Sequence, residues 1–243
     1  MTESVFASKA LFSWYDRHGR NLPWRRRWPE LAPAYHVWLS EIMLQQTVEK
    51  SVIPYFLDFI RRWPRIEDLA CAPLDDVLAA WAGLGYYARA RNIHKTARII
   101  VSEFGSIFPN NLDLLVQLPG IGRSTAGAIL SISMNIPAPI LDGNVKRVLT
   151  RFHTIQGYPE KSEIKKRLWE IAESHTPDKK FQKYTQAIMD LGATLCSRNT
   201  PSCKACPINS KCGAFKEDII KYLSLIHISE PTRQEAISYA VFC

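Results

Sequence analysis

The chain of 243 residues lacks long apolar runs, and none approaches the ~20 residues that a membrane-spanning helix needs. No apolar signal peptide precedes Trp14 either. We therefore expect no membrane span and no export, and we expect the protein to occupy a reducing compartment. Disulfides are rare in such a compartment, where grouped cysteines usually bind a metal.

Strict alternation of apolar and polar residues is also scarce, and no repeat or low-complexity segment stands out. Apolar residues instead recur at spacings of three and four, which places them on one face of a helix. Three such sets are Leu74, Leu78, Trp81 and Leu84; Ile93, Ala97, Ile100 and Phe104; and Ile164, Leu168 and Ile171. With 47% hydrophobic residues, the sequence predicts a globular, all-α fold.

Acidic residues are outnumbered by basic ones, 23 against 31, which gives a formal net charge of +8. Such an excess favours an acidic partner, such as nucleic acid. Residues 20–33 form an irregular stretch with four arginines and two tryptophans. This stretch is either a loop of cationic and stacking side chains or an ordinary solvated loop.

Cysteine is uncommon, with six residues, but Cys196, Cys203, Cys206 and Cys212 are separated by only six, two and five residues. Thiolates at this spacing can converge on one metal centre, and both zinc and an iron–sulfur cluster accept four of them. The alternatives are two disulfides or scattered core thiols, which a reducing compartment disfavours. The spacing predicts a metal centre and leaves the metal open.

Residues 118–130 read LPGIGRSTAGAIL, in which Pro119 ends one helix and a run of small residues begins another. Gly120 and Gly122 permit a tight turn that exposes backbone N–H groups beside a positive helix end. Such a turn is a ready site for a phosphate. The segment therefore predicts a helix–hairpin–helix that grips a nucleic-acid backbone, although a helical hairpin can also be purely structural.

Two carboxylates are candidates for chemistry. Glu41 lies in a strongly apolar helix, where burial would keep it protonated as a general acid, whereas a solvated position would give it no role. Asp142 precedes a glycine and follows the hairpin by about twenty residues, so it is either a helix cap or a carboxylate placed near a DNA sugar. Paired carboxylates in different surroundings are typical of glycosidic bond cleavage.

Taken together, these motifs resemble the endonuclease III superfamily of base-excision glycosylases. Within it, residues 40–47, 83–92, 118–130 and 141–149 resemble adenine DNA glycosylases of the MutY type, and the likeness covers nearly all of residues 8–215. The resemblance implies a two-lobed helical helix–hairpin–helix glycosylase fold. One lobe is a six-helix lobe at 26–136, with the hairpin at 112–133. The other is an iron–sulfur cluster lobe formed by 1–25 and 137–222.

The same resemblance implies the chemistry. The four cysteines hold a 4Fe–4S cluster, Glu41 protonates adenine at N7, and Asp142 stabilises the sugar cation while Asn144 positions it or the water. In lyase relatives, a lysine within the hairpin attacks the sugar. Ser124 stands at that position here and cannot form a Schiff base, which favours a monofunctional enzyme that uses water.

The resemblance also implies contacts with double-stranded DNA that holds adenine opposite 8-oxoguanine or guanine. Gln46 and Tyr86 enter the duplex near the lesion, and Lys146 lies beside the backbone. Other DNA- or base-binding candidates are Trp24 and Arg25 in the base pocket, together with Gln45, Gly120, Gly122 and Ser124. Residues 31–34 lengthen the loop before Glu41 relative to the family pattern, which affects the alignment of Trp24 and Arg25. We expect a monomer in the bacterial cytoplasm that associates with the nucleoid when it binds DNA.

Two other functions fit parts of the sequence. One is a bifunctional pyrimidine glycosylase and lyase of the endonuclease III type, which Ser124 and residues 141–149 disfavour. The other is a non-enzymatic helix–hairpin–helix module with structural zinc, which would be colourless where an iron–sulfur protein is brown.

Residues 223–243 can be translated from the sequence of a common transposase sequencing adapter. We therefore expect this tail not to be native, with the natural gene cut near Tyr222, and different codons in the gene would contradict that hypothesis. The C-terminal Nudix-like domain of longer relatives, which recognises 8-oxoguanine, is expected to be absent. The chain should then show a weakened preference for 8-oxoguanine over guanine opposite the adenine.

Overall fold

The computed structural model describes residues 9–226, with side chains described up to residue 223, and this range contains no β-strand. The α-helices are α1 (Lys9–His18), α2 (Ala34–Met43), α3 (Glu49–Arg62), α4 (Ile66–Cys71), α5 (Leu74–Ala80), α6 (Ala88–Phe104), α7 (Leu112–Gln117), α8 (Arg123–Ser133), α9 (Gly143–Phe152), α10 (Ser162–His175), α11 (Phe181–Asp190), α12 (Gly213–Lys216) and α13 (Ile220–Ile226). A π-helical segment follows α11 at Leu191–Leu195, and short 3₁₀ turns lie at Cys203–Ala205 and Asn209–Lys211. The all-α prediction is confirmed.

The helices form two compact units. In the described range, the first unit comprises the residues up to Ile140 together with His175–Ala187, and the second comprises Leu141–Ser174 and the residues from Ile188 onward. The boundary after Ile140 lies close to the expected one at 136. Residues 1–8 and 227–243, which include most of the suspected adapter segment, lie outside the described residues.

Helix α1 belongs to the first unit, which differs from the expected grouping of residues 1–25 with the cysteine-bearing lobe. The Tyr15 hydroxyl donates a hydrogen bond to Gln186 Oε1 over 2.6 Å, and Lys183 pairs with Asp16 at 2.6 Å. These contacts hold α1 against the part of α11 that lies in the same unit. The functional assignment of the two lobes stays a prediction.

The core of the first unit is built around α2, α6 and α8. Helix α2 buries Trp38, Leu39 and Met43 completely, and α8 buries almost every residue after its first turn. Burial of each large apolar side chain stabilises the fold by roughly 1.5–3 kcal/mol. This packing fixes the end of α2 and the start of α8, the two places where the sequence predicts functional residues.

The periodic apolar sets are reproduced with one difference. Ile93, Ala97 and Ile100 form a buried face of α6, as expected. The predicted helix that contains Leu74 and Leu84 is shorter, since α5 ends at Ala80 and the chain turns before α6. That turn carries Tyr86.

The second unit packs α9 against the π-helical segment, α12 and α13. Gly192 of the π-helical segment allows this approach, because a Cβ there would lie 2.7 Å from Asn144 Cβ and 2.8 Å from the Asn144 carbonyl oxygen. A close approach of this kind is a position that only glycine fills without displacement. The chain segment that bears the cysteines is thereby held against the start of α9.

Candidate active site and cysteine cluster

Glu41 lies near the C-terminal end of α2 and is half-buried. Around it the helix buries Trp38, Leu39 and Ile42, each at most 1% exposed. This environment is intermediate between the two expectations, an inward-facing acid and a solvated glutamate. The catalytic role of Glu41 stays a prediction.

The two residues expected to enter a duplex lie in short loops and share an unusual backbone conformation. Gln46 follows α2 with φ of +57°, and Tyr86 precedes α6 with φ of +50°. A left-handed conformation costs a non-glycine residue roughly 1–2 kcal/mol. Both side chains are exposed, and that of Tyr86 is 59% exposed. Exposed residues with a strained backbone conformation are common at binding sites.

The predicted hairpin is present as α7, a tight turn and α8. Gly120 in the turn has φ of +80°, and a Cβ there would lie 3.1 Å from Asn92 Cβ. Gly122 caps α8, whose first turn contains Ser124 and no acidic residue. The Gln45 side-chain amide lies 3.4 Å from the Gly120 carbonyl oxygen, which links the loop after α2 to the hairpin. The positive end of α8 can therefore meet a phosphate.

Trp24 and Arg25 occupy different surroundings. Trp24 is 4% exposed and packs edge-on against Phe56, with ring centroids 5.2 Å apart, so it belongs to the core of the first unit. Arg25 is half-buried and lines a cavity of about 270 Å³ together with Arg20 and Arg26. This cavity lies within the first unit, and the assignment of either residue to a base pocket stays a prediction.

Asp142 caps the N-terminus of α9. Its Oδ1 accepts a hydrogen bond from the Val145 backbone N–H over 2.8 Å, and its Oδ2 accepts one from Asn144 Nδ2 over 3.1 Å. The carboxylate is half-buried. The capping role that the sequence left as an alternative is therefore present, and it orients the carboxylate at the positive end of the helix.

Arg147 connects the Asn144 amide to the cysteine segment. Its Nη2 donates to Asn144 Oδ1 over 2.8 Å and to the Gly192 carbonyl over 2.6 Å, and its Nε donates to the Cys196 carbonyl over 2.7 Å. Burial lowers the pKa of the Arg147 guanidinium from its ordinary value, while Cys196 and Asp142 oppose that shift. The start of α9 and the first cysteine are thus held by one side chain.

Lys146, which is expected beside a DNA backbone, forms an ion pair with Glu160. Lys165 lies 3.7 Å from the other carboxylate oxygen of Glu160. Burial acts to raise the pKa of Glu160, but the two ammonium groups outweigh it and hold the pKa below its usual value. A phosphate that binds Lys146 would compete with this carboxylate.

The four clustered cysteines, Cys196, Cys203, Cys206 and Cys212, all lie in the second unit as free thiols. Cys196 follows the π-helical segment directly, one 3₁₀ turn begins at Cys203, and another precedes Cys212. Burial raises the pKa of the Cys206 thiol to about 12, and the charges of the other three thiols add to this effect. The pKa values of Cys203 and Cys212 are also raised by burial and by neighbouring thiols.

Within residues 9–226, no group of three or more Cys, His, Asp or Glu side chains is arranged so that it could hold a metal ion. The donor set nevertheless fits a group that takes four thiolates. Mutual repulsion between thiolates is the cost that a bound cation would remove. The buried Arg151 guanidinium, 3.3 Å from Cys196 Sγ, can donate a further hydrogen bond to that sulfur.

Three arginines were not identified from the sequence: Arg89, Arg147 and Arg151. Each lies on an inward face of its helix, and Arg89 extends the Ile93 and Ala97 face by four residues. The spacing could have identified Arg89. No local motif marks the burial of Arg147 and Arg151, because it depends on contacts with the distant cysteine segment.

Comparison with protein families matches residues 39–174 to HhH-GPD, described as a superfamily of base excision DNA repair proteins. The chain belongs to this superfamily. The "Adenine DNA glycosylase" of Buchnera aphidicola subsp. Schizaphis graminum is 50% identical over 224 residues, which cover 91% of this chain and 63% of that relative. The human "Adenine DNA glycosylase" is 43% identical over 210 residues, covering 84% of this chain and 38% of the relative.

Two solved structures agree with the HhH-GPD fold. A thermostable thymine-DNA glycosylase superposes with a TM-score of 0.76 at 24% identity, covering 86% of this chain and 94% of that chain. A non-covalent endonuclease III–DNA complex superposes with a TM-score of 0.69 at 20% identity, covering 86% and 93%. The chain of 243 residues spans between 59% and 63% of the length of the three Buchnera relatives, or about three fifths. Within residues 9–226, every helix is too short or too polar to cross a bilayer.

Proposed function

We propose that the protein is a monofunctional DNA glycosylase that hydrolyses the N-glycosidic bond of adenine mispaired with 8-oxoguanine or guanine. The observation that carries this proposal is the 50% identity to an adenine DNA glycosylase across 91% of the chain. The likeness extends beyond the superfamily core at residues 39–174, so it includes the cysteine segment. We place the enzyme in the bacterial cytoplasm as a monomer.

The chemistry is assigned to two carboxylates and an amide. Glu41 would protonate adenine at N7 and so convert the base into a neutral leaving group, a contribution of about 10²–10⁴-fold for a positioned general acid. Asp142 would stabilise the positive charge that develops on the sugar. Its hydrogen bonds with Val145 and Asn144 support this role, because they hold the carboxylate in one orientation. Asn144 would also position the water.

DNA binding is assigned to the hairpin and the two strained loops. The N-terminus of α8 and Lys146 would bind the phosphate backbone, which positions the enzyme without reading sequence. Gln46 and Tyr86 would enter the duplex beside the lesion, where a mispair lowers the cost of extruding the base. Ser124 in place of a lysine supports hydrolysis by water without a Schiff base.

We assign a 4Fe–4S cluster to Cys196, Cys203, Cys206 and Cys212, whose sequence spacing and four thiol ligands support it. When bound, this group supplies a structural and DNA-docking centre, because hydrolysis needs no redox step. Exposed Lys204 and Lys211 lie between the cysteines and would meet phosphates. Arg147, which donates hydrogen bonds to both the Cys196 carbonyl and Asn144, would then hold Asn144 in a fixed position beside the cluster segment.

Release of adenine from three duplexes tests the proposed function. The duplexes hold adenine opposite 8-oxoguanine, opposite guanine and paired with thymine, and rates are measured with enzyme in excess. We expect release from both mispairs and none from the thymine pair. Equal release from all three duplexes, or none from either mispair, would contradict the proposal.

A further inference from the structure

Arg89 is a buried arginine in the first turn of α6, and it is 8% exposed. Its two terminal nitrogens donate to six oxygens in two separate segments, the end of α2 with the loop that follows it and the loop before α6. The acceptors are the carbonyls of Ile42 (3.1 Å), Met43 (2.7 Å), Gln45 (2.5 Å), Leu84 (3.1 Å) and Gly85 (3.2 Å) and the hydroxyl of Thr47 (3.0 Å). One side chain therefore joins the loop after α2 to the loop before α6.

Two of these acceptors immediately precede the strained residues. Gln45 O lies before Gln46, which has φ of +57°, and Gly85 O lies before Tyr86, which has φ of +50°. The angle φ describes rotation about the N–Cα bond relative to the preceding peptide plane, and that plane is rigid. A hydrogen bond that fixes the carbonyl oxygen of this plane therefore restrains φ of the next residue. Arg89 does this at both positions.

The guanidinium also contacts Tyr86 directly. Arg89 Cζ lies 5.4 Å from the centroid of the Tyr86 ring and 5.3 Å from that of Trp81, distances that allow cation–π attraction. The ring of exposed Tyr86 is thereby held from one side by a buried cation. Lysine could not replace these contacts, because it lacks the planar fork of five donors.

A role in packing alone does not account for a charge at this position. The six hydrogen-bond acceptors are neutral oxygens, and burial lowers the pKa of Arg89 from its ordinary value. Burying a cation costs free energy that an apolar side chain of similar volume would not. What the cation provides is a fixed geometry for the two loops.

We propose that Arg89 is a positioning residue that holds Gln46 and Tyr86 in the conformations with which they enter the duplex. The inference rests on the proposed function, in which these two side chains contact DNA. Arg89 acts through them and contacts neither the scissile bond nor the phosphate backbone.

Arg89→Lys tests this proposal, with the full chain and a duplex that carries 2-aminopurine at the target position opposite 8-oxoguanine. The fluorescence rise on enzyme binding reports extrusion of the base, and the release rate is measured on the matching adenine duplex. We expect the fluorescence rise and the release rate each to fall about 10- to 100-fold in Arg89→Lys, as a small misplacement of contacting groups would cause. Affinity for an undamaged duplex should change by no more than about twofold, because phosphate contacts are kept. Arg98→Gln, which removes an exposed charge from the same helix, serves as the control and should match wild type.

A mutant cycle separates positioning from general destabilisation. Added to the double variant Gln46→Ala and Tyr86→Ala, Arg89→Lys should cost no more than about a further twofold, because coupled residues are non-additive. Independent, multiplicative losses would overturn the proposal. The proposal would also be overturned if Arg89→Lys lowered the melting temperature but left the fluorescence rise per folded enzyme unchanged. If Arg89→Lys does not fold, Thr47→Val removes one acceptor of Arg89 together with the hydrogen bond that the Thr47 hydroxyl donates to the Gln45 carbonyl over 3.3 Å. An unchanged fluorescence rise in that variant overturns the proposal.

The design also distinguishes this inference from the proposed function. Wild-type enzyme that releases no adenine contradicts the proposed function. The fluorescence rise needs no release, so it still decides whether Arg89 positions the two loops. Wild-type release combined with an unaffected Arg89→Lys variant contradicts this inference alone.

Discussion

At the scale of single residues, the two proposed catalytic carboxylates have different surroundings. Asp142 accepts two hydrogen bonds at the N-terminus of α9, so its position is defined by local structure. Glu41 is half-buried beside fully buried Trp38 and Ile42. The environment of Asp142 suits a carboxylate that keeps one position, and that of Glu41 suits an acid that transfers a proton.

Glu41→Gln should abolish adenine release and leave DNA binding within about twofold of wild type, because the amide keeps the shape of the side chain but cannot donate the proton. Single-turnover release and binding to the mispaired duplex check this. Glu103→Gln makes the same change at an exposed position of α6 and should retain full activity. Full release by Glu41→Gln would show that another group is the acid.

Residue roles were predictable from the sequence where a local motif carries them. The aspartate before a glycine at Asp142 predicted both a cap and a carboxylate site, and the cap is present. The sequence gives no local signal for the hydrogen bonds of Arg89 and Arg151, because their partners lie in distant segments of the chain. Whether a guanidinium is buried depends on which loops fold over it, and that is decided by tertiary contacts.

At the scale of elements, the contact between α9 and the π-helical segment matters most for the proposed chemistry. Gly192 lies against Asn144, and Arg147 binds both the Gly192 carbonyl and Asn144. The position of Asn144 therefore depends on a neighbouring element as well as on its own helix.

Gly192→Ala should lower the rate of adenine release about 10-fold or more, because the new Cβ displaces Asn144 from its position. The fold should lose about 1–3 kcal/mol, a typical cost of overpacking. Single-turnover rates and thermal unfolding measure the two effects. Thr194→Ala, at an exposed position of the same segment, should keep the rate near wild type. Destabilisation with an unchanged rate would show that Asn144 has no positioning role.

Helices with strong apolar periodicity were predictable, and α6 and both helices of the hairpin lie where the sequence placed them. The shorter α5 and the π-helical segment at Leu191–Leu195 were not. A π-helix has no periodic signal in five residues, and here it follows α11 without a break.

At the scale of the whole molecule, the proposed cluster should stabilise the second unit. Purified protein should be brown and contain iron and sulfide. Cys203→Ser should reduce the iron content and the visible absorbance. It should also lower the thermal stability, because metal binding contributes to folding. Cys71→Ser, at an exposed cysteine of the first unit, should change none of these. A colourless wild-type protein that contains zinc would contradict the iron–sulfur assignment.

The central claim is that the chain removes adenine by hydrolysis, and the most direct measurement follows both products of one reaction. The enzyme is incubated with a duplex that holds adenine opposite 8-oxoguanine, in the presence of borohydride. We expect free adenine and an uncleaved strand with an abasic site, without a covalent protein–DNA adduct, because Ser124 cannot form a Schiff base. A trapped adduct with strand cleavage would indicate a lyase, and the absence of free adenine would contradict the account as a whole.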